Sequence, residues 1–475
     1  MRAIENILVN FLNKLSRREH RPKSDEIVLG RNGDNIALWK VRAGYHLHII
    51  GATRSGKSKI VEHILKRLTQ KRVNWLLLDL HGDTANSMLG FLNSMPESKT
   101  SGRVIDIDFG QNPDRSGLPG LNPLASYENT ETSLVVGLVM DSLRRRWGNA
   151  WGVRLEQTIR NAIWLLAENN FTLLELRPLL TNRAFRDELL NRTENPEVQN
   201  FWEFFDNLSS NMQNTWIDPV MNKFNSWLVV PLVHSVIGQR KTTIPFRKIL
   251  DEPRKILVCN FAKGVIQSEN ALLLAALFLP SLVSAIFSRA DIPLAKRNPF
   301  VLVIDEAQAF DGAEKIIETL LSEGGKYGLQ LVLAHQHLSQ FPKNIRSALL
   351  GNCSQTCIFR VSPEDANLIV PTLASGRRKA IESRLVNLPQ RYMLFYNRNS
   401  GQLDFMKTPF VEDFEIPDLE RNRFVRENIE AGILRPVAEI EREIAERNRD
   451  IGGRTSLDFD IARERDFEED LDEWR

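Results

Sequence analysis

The chain has 475 residues, room for two or three folded units, with 42% hydrophobic and 26% charged residues and a formal net charge of +2. This is the balance of an ordinary globular protein. It excludes a disordered or fibrous chain, and so small a charge neither requires nor rules out a polyanionic partner.

Taken in chain order, the first element is MRAIENILVNFLNKLSRREH. It lacks the apolar core and cleavage site of a secretory signal, yet Ile4, Ile7, Leu8, Phe11, Leu12 and Leu15 recur at helical spacing. An amphipathic helix is expected over residues 1–24, packed on its own domain or lying on a partner or membrane surface. Glu26 to Lys40 reads as short strands about the turn Asn32-Gly33-Asp34. Apolar strands follow at His46–Ile50, Asn74–Asp79, Lys255–Asn260, Pro299–Asp305, Leu329–Ala334 and Gln355–Arg360, separated by helical patterns. Near-continuous apolar runs alternating with helices indicate an α/β fold, a parallel sheet covered on both faces.

Between Leu124 and Ile249 strand signals vanish and helical spacing takes over, as in Leu155, Ile159, Ile163 and Leu166. Six of the nine tryptophans fall here (Trp147, Trp151, Trp164, Trp202, Trp216, Trp227) and read as the core of a helical unit. Ala271 to Phe287 is almost wholly apolar but contains Pro280, is short for a membrane span of ~20 residues, and reads as a buried helix. The expected organisation is therefore an amphipathic helix (1–24), an α/β domain in two parts (25–124 and 250–411), an all-helical insertion between them (125–249), and a charged helical tail (412–475). From Arg454 to Arg475 the tail carries nine acidic and four basic residues, which leaves the body mildly basic. Cys259, Cys353 and Cys357 form no metal or disulfide pattern and read as buried reduced thiols of a cytoplasmic protein.

The strongest motif is Gly51-Ala52-Thr53-Arg54-Ser55-Gly56-Lys57-Ser58, a full P-loop with an apolar strand before it and an apolar-faced helix after it. Its glycines let backbone amides curl around phosphates, and the following helix, from Lys59 onward, turns its N-terminus to the negative charge. Lys57 is expected on the β- and γ-phosphates of ATP and the Ser58 hydroxyl on Mg²⁺. Pro299-Phe-Val-Leu-Val-Ile-Asp305-Glu306 supplies a carboxylate pair at the tip of a strand expected to neighbour the P-loop. Asp305 would complete the Mg²⁺ shell and Glu306 would polarise the attacking water as general base. Gln336 ends the next strand and can sense the γ-phosphate. Asp79, expected beside the P-loop, ranks below these.

The ordered set LGRN, HLHIIGATRSGKS, LLLDLHGD, LNPL, ILVCNFAKG, VLVIDEAQAF, EGGKYGLQLVLAHQHLSQ and NCSQTCIFRVSPEDANLI resembles the HerA/FtsK superfamily of ring-shaped DNA motors, from Glu26 to Phe410. The insertion and the His-Gln-x-Leu-Ser-Gln block are most similar to type IV secretion and conjugative coupling ATPases, with HerA helicases next. The resemblance implies a RecA-like core, a hexameric ring, and double-stranded DNA in a central channel. It also implies a nuclease, relaxase or effector as further partner. Two departures stand out. Coupling proteins usually carry N-terminal transmembrane helices, and none is read here. HerA relatives commonly have Arg-Lys where this chain has Gly325-Lys326. The residue that would complete a neighbour's site is then Lys326 or Arg360.

A translocase grips phosphates without reading bases. The candidates for that grip are Arg144-Arg145-Arg146 and Arg377-Arg378-Lys379. The expected function is an ATP-hydrolysing ring motor that translocates DNA. The alternative is an ATPase that energises type IV secretion, protein export or a defence complex without threading DNA.

Overall fold

A computed structural model describes residues 22–451, apart from 128–129, 149–150, 311–313, 374–375, 377 and 416–417, and apart from the side chains at 115, 145 and 418–422. The expected N-terminal helix lies outside the described residues except for 22–24, which are loop and turn; the acidic end from 454 lies wholly outside them.

The first strands, β1 (Glu26–Asn32) and β2 (Asn35–Lys40), form the expected hairpin. The apolar runs then appear as β3 (Leu47–Ile50), β4 (Asn74–Asp79), β5 (Val104–Asp108) and the short β6 (Leu118–Pro119). After a long helical stretch come β7 (Ile256–Asn260), β8 (Phe300–Ile304), β9 (Leu329–His335) and β10 (Gln355–Ile358). A second hairpin, β11 (Tyr392–Asn397) and β12 (Gln402–Lys407), and a short β13 (Leu434–Arg435) complete the set.

Eleven strands make one sheet in the order β2-β1-β12-β11-β10-β3-β9-β8-β4-β7-β5. From β10 to β5 every pairing is parallel, and from β10 outward to β2 every pairing is antiparallel. Parallel strands need covered crossovers, and this fits the wholly buried runs of β3, β4, β7, β8 and β9. Alternation along each strand feeds two cores. Trp75, Leu77, Val301 and Val303 face one side, while Leu76, Leu78, Phe300, Leu302 and Ile304 face the other.

The first side is closed by α1 (Lys57–Lys71) and α2 (Asp83–Ser94). On α1 the spacing of Ile60, Val61, Ile64, Leu65 and Leu68 makes one apolar stripe, and all five are buried. Burial on that scale is worth ~1.5–3 kcal/mol per side chain. The other side is closed by the helices between β6 and β7, among them α3 (Thr132–Trp147), α4 (Val153–Glu168), α5 (Pro196–Asp206) and α6 (Ser210–Leu228), and by α7 (Ser268–Ser288). Trp202, Trp216 and Trp227 are buried there, and Trp147 stacks on Trp151 and Trp227 at 5.6 and 4.9 Å between ring centroids. Among the described residues α7 is the one helix long and apolar enough to cross a membrane, but nearly all of it is buried inside the protein.

Three features were not expected. β5, Val-Ile-Asp-Ile-Asp, pairs on one side only, with β7, and an edge strand tolerates polar residues that mask its apolar pattern. The β11–β12 hairpin carries the sheet on past β10 with opposite sense. The charged tail is not helical throughout: β13 pairs with β6, and α8 (Val437–Asp450) docks on the helical region through Arg447. The Arg447 guanidinium reaches Glu175 Oε1 at 2.6 Å and the Gly238 carbonyl at 2.7 Å, with both charged groups buried. All three cysteines are buried and unbridged, and burial pushes the Cys353 thiol up to about 12.

Candidate phosphate and hydrolysis site

Strand ends place the chemistry. Because the strands from β10 to β5 are parallel, their C-terminal tips share one edge, where ligands of open α/β sheets bind. The P-loop leaves β3 there, Asp305 and Glu306 follow β8, Gln336 follows β9, Asp79 ends β4 and Arg360 follows β10.

The sheet order corrects one expectation. Neither the carboxylate strand β8 nor β4 neighbours β3; β9 lies between β3 and β8, and β4 is further out. Gln336 therefore stands between the P-loop and the carboxylates, and its contacts follow from that place. Gln336 Nε2 donates to Glu306 Oε1 at 3.0 Å, and Thr53 Oγ1 of the P-loop donates to Gln336 Oε1 at 3.0 Å.

The loop's shape is imposed by its glycines. A Cβ at Gly51 would lie 2.5 Å from Phe359 Cβ and 2.7 Å from Ser55 Oγ, and Gly56 has φ 113° where the chain turns into α1. Gly56 caps α1 without any side-chain hydrogen bond, so the first-turn amides, Lys57 to Lys59, have no side-chain partner at the cap. The Ser55 hydroxyl is buried without a partner. A cradle of free amides, an orphaned hydroxyl and a buried lysine fits a phosphate chain. In this structure Lys57, only 5% exposed, donates from Nζ to Glu306 Oε1 at 2.6 Å.

Glu306 adopts φ 54°, ψ 47°, a left-handed conformation that costs a non-glycine residue ~1–3 kcal/mol and tends to cluster at functional sites. Burial alone would raise its carboxyl. The charge of Lys57 and hydrogen bonds from Lys57, Gln308 and Gln336 outweigh that and hold it below the usual carboxylate range. Gln308 Nε2, two residues on, lies 2.5 Å from Glu306 Oε2. Asp305 is the opposite case. Burial pushes it up to about 6, Lys57 pulls it back in part, and Asp79 and Glu306 push it further up. Its Oδ2 accepts from Thr84 Oγ1 at 2.9 Å. Thr84 and Gln308 were missed in the sequence, where each is a polar residue just past a strand-end acid with nothing else to mark it.

Asp79 has a local duty. Its two oxygens accept the amides of His81 and Ala85, both at 2.9 Å, which shapes the turn into α2. Beside Gln336 lies a buried imidazole pair: His48 Nε2 and His335 Nε2 are 2.6 Å apart, with ring centroids 4.8 Å apart and planes within 14°, so the rings meet edge to edge. Burial lowers His48 to about 4 and His335 further, so both are neutral and one donates to the other.

The remaining candidates are scattered. The Arg360 carbonyl accepts from Ala52 N at 2.7 Å, so Arg360 is exposed beside its own chain's P-loop. Lys326 is exposed before the start of β9, with about 20 Å of strand, at ~3.3 Å per residue, between it and Gln336. Arg144 is paired with Glu156, whose carboxyl that bond pulls down to about 2. Arg146 donates to the Glu269 carbonyl at 3.2 Å and lies over Trp227. Arg378 and Lys379 begin an exposed helix, Arg378–Val386. The Arg145 side chain and Arg377 are outside the described residues.

Residues 40–139 match the model of the family described as Helicase HerA, central domain. No curated protein matches the sequence. Among solved structures the chain is similar to the bacterial conjugative coupling protein TrwBdeltaN70, at 15% identity over 85% of this chain and 93% of that one, with a TM-score of 0.58. The plasmid coupling protein TrwB in complex with ADP and Mg²⁺ gives 14% identity, 85% and 94% coverage and a TM-score of 0.57. VirB4 of Thermoanaerobacter pseudethanolicus gives 15% identity, 82% and 97% coverage and a TM-score of 0.57. The chain thus has the RecA-like P-loop ATPase fold that TrwB and VirB4 share, with a match to the HerA central domain over residues 40–139.

Proposed function

We propose that the chain is an ATP-hydrolysing motor that translocates DNA as a homo-oligomeric ring. The observation that carries the hydrolytic part is the chain of contacts Thr53–Gln336–Glu306–Lys57, which links the phosphate loop to the acidic pair across three strand tips. In this reading the P-loop amides and Lys57 hold the triphosphate. Lys57 exchanges its bond to Glu306 for the phosphates, and Glu306, kept ionised and still held by Gln308 and Gln336, takes the proton of the attacking water. Ser58 and Asp305 hold Mg²⁺, which neutralises phosphate charge when bound. Gln336 reports loss of the γ-phosphate to β9 and, through Thr53, to the loop.

The DNA part is supported by the likeness in fold to conjugative coupling proteins. It is tested by phosphate release in Mg²⁺ with and without duplex DNA. Turnover should rise with duplex in low salt and lose that stimulation as salt releases the phosphate contacts. No DNA binding in low salt and no change in turnover would leave the second reading, an ATPase of secretion, export or defence. That reading is favoured by one observation: Arg144 and Arg146, in one of the two basic triplets, are already engaged within the chain.

The position of Arg360 against Ala52 points to action on the triphosphate of its own subunit, with Lys326 left as the group that could reach only a neighbour. Mixing decides between these. If Arg360 serves its own subunit, Arg360→Ala protein mixed with Glu306→Gln protein stays inactive. Recovery of turnover in the mixture would make Arg360 the residue supplied across the interface, where such arginines contribute ~10³–10⁵ in rate.

A further inference from the structure

We propose that Phe410 and Arg391 form the seat of the nucleoside, the base of the bound purine nucleotide stacking on the Phe410 ring beside the Arg391 guanidinium. This rests on the phosphate-site reading above and deepens it by naming what holds the other end of the substrate.

The direction of the substrate follows from the site. Its terminal phosphate belongs at Lys57 and Glu306, which are buried. The remaining phosphates must run outward along the first turn of α1, so the nucleoside emerges beside Gly56 and Lys59. The segment that meets that exit comes from the β11–β12 hairpin and the residues after it. Arg391 N donates to the Ser55 carbonyl at 3.2 Å, and Arg391 Cα would lie 3.6 Å from a Cβ placed on Gly56. Thr408 N and Oγ1 both donate to the Arg391 carbonyl, at 2.9 and 3.1 Å, tying the end of β12 to the same spot. Two residues later Phe410 stands 77% exposed, its ring centroid 5.3 Å from the Arg391 guanidinium carbon.

Phe410 is held rather than trailing. Beyond it, Lys59 of α1 pairs with Asp413, and Lys66 Nζ donates to the Glu412 carbonyl at 2.7 Å. Lys66 also lies over the Phe414 ring at 4.5 Å. The chain is thus fastened to the P-loop helix after Phe410 and to the P-loop itself before it, yet the aromatic ring between is left in water. A fixed, exposed ring beside a guanidinium is the pairing that a purine base covers well: the ring offers a π-face, the arginine a planar cation, and both lie where the base must come out. Nothing in the hydrolytic machinery uses either residue.

The test separates base from phosphate. Binding of ATP, ADP and inorganic tripolyphosphate is measured by calorimetry on the full chain, for wild type, Phe410→Ala and Phe410→Trp. Phe410→Ala should weaken ATP and ADP by about tenfold, the usual worth of one stacked base, and leave tripolyphosphate within about twofold. Phe410→Trp should restore nucleotide binding. Unchanged ATP affinity in Phe410→Ala overturns the proposal. So does a parallel fall in tripolyphosphate affinity, which would mean the loop had been disturbed, or a Trp variant as weak as Ala. Wild-type protein that binds none of the three overturns the phosphate-site reading itself, an outcome distinct from all of these.

Discussion

Glu306→Gln should lower phosphate release by about 10²–10⁴-fold while ATP binding is kept or tightened. The loss is that of a general base: an amide accepts no proton from water. The gain in binding comes from Lys57. In this structure its ammonium is bound to the Glu306 carboxylate at 2.6 Å in a site nearly closed to solvent, and a triphosphate must compete for it. Glutamine keeps the length of the side chain but releases the charge, and its amide nitrogen cannot accept the bond that one of Gln308 and Gln336 gives the carboxylate. Turnover and nucleotide affinity are measured on the same preparation. Turnover within about tenfold of wild type, a smaller loss than a general base should show, would remove Glu306 from that role. Lost ATP binding would mean that Glu306 holds the site together rather than working in it.

Asp305→Asn should stabilise the magnesium-free protein at pH 8 and abolish its stabilisation by Mg²⁺ with ATP. The sign follows from the direction of the shift. Asp305 titrates at about 6, above its ordinary value of 3.8, because burial disfavours the charge. The folded protein then holds a proton that the unfolded chain has already given up. The contribution is favourable in acid and is lost as pH rises through about 6, leaving a buried carboxylate that costs ~3 kcal/mol above it. Asparagine has no such charge, so its melting temperature should exceed that of wild type at pH 8 and match it near pH 4. Added Mg²⁺ and ATP should reverse the order at pH 8, since only the aspartate can use the cation. A wild type that melts above Asp305→Asn at pH 8 without magnesium would sink this account of Asp305.

The two variants show how differently the neighbouring acids were legible. From the residues alone, Asp305 and Glu306 are one motif. Their split into a raised and a lowered carboxyl depends on what surrounds them: Lys57, Gln308 and Gln336 for Glu306, and for Asp305 deep burial with Asp79 and Glu306 nearby, which outweighs Lys57 and Thr84. Gln336 itself was readable as a polar strand end, but its bridging bonds to Thr53 and Glu306 require β9 to lie between β3 and β8, and strand order leaves no trace in local pattern. Phe410 shows the same limit more sharply: in the chain it is one aromatic at the end of the expected α/β region, with nothing else to mark it.

What the sequence by itself determined is whatever local chemistry dictates. Short continuous apolar runs of about four to eight residues, alternating with helical patterns, read as buried strands, while the longer run from Ala271 to Phe287 reads as a helix. A Gly-rich turn between such a strand and an amphipathic helix, with lysine and serine at its end, has one well-supported use. Lys57, Ser58, Asp305, Glu306 and Gln336 are therefore named by their places at the ends of elements. The tertiary structure alone decided strand order, the antiparallel extension by β11 and β12, and the return of the tail to pair β13 with β6. It also set Arg360 and Arg391 beside the P-loop. The physical reason is range. Propensity and periodicity are set by neighbours a few residues away, whereas these contacts join segments further apart, several of them by hundreds of residues, chosen by which surfaces remain to be buried once the local elements exist.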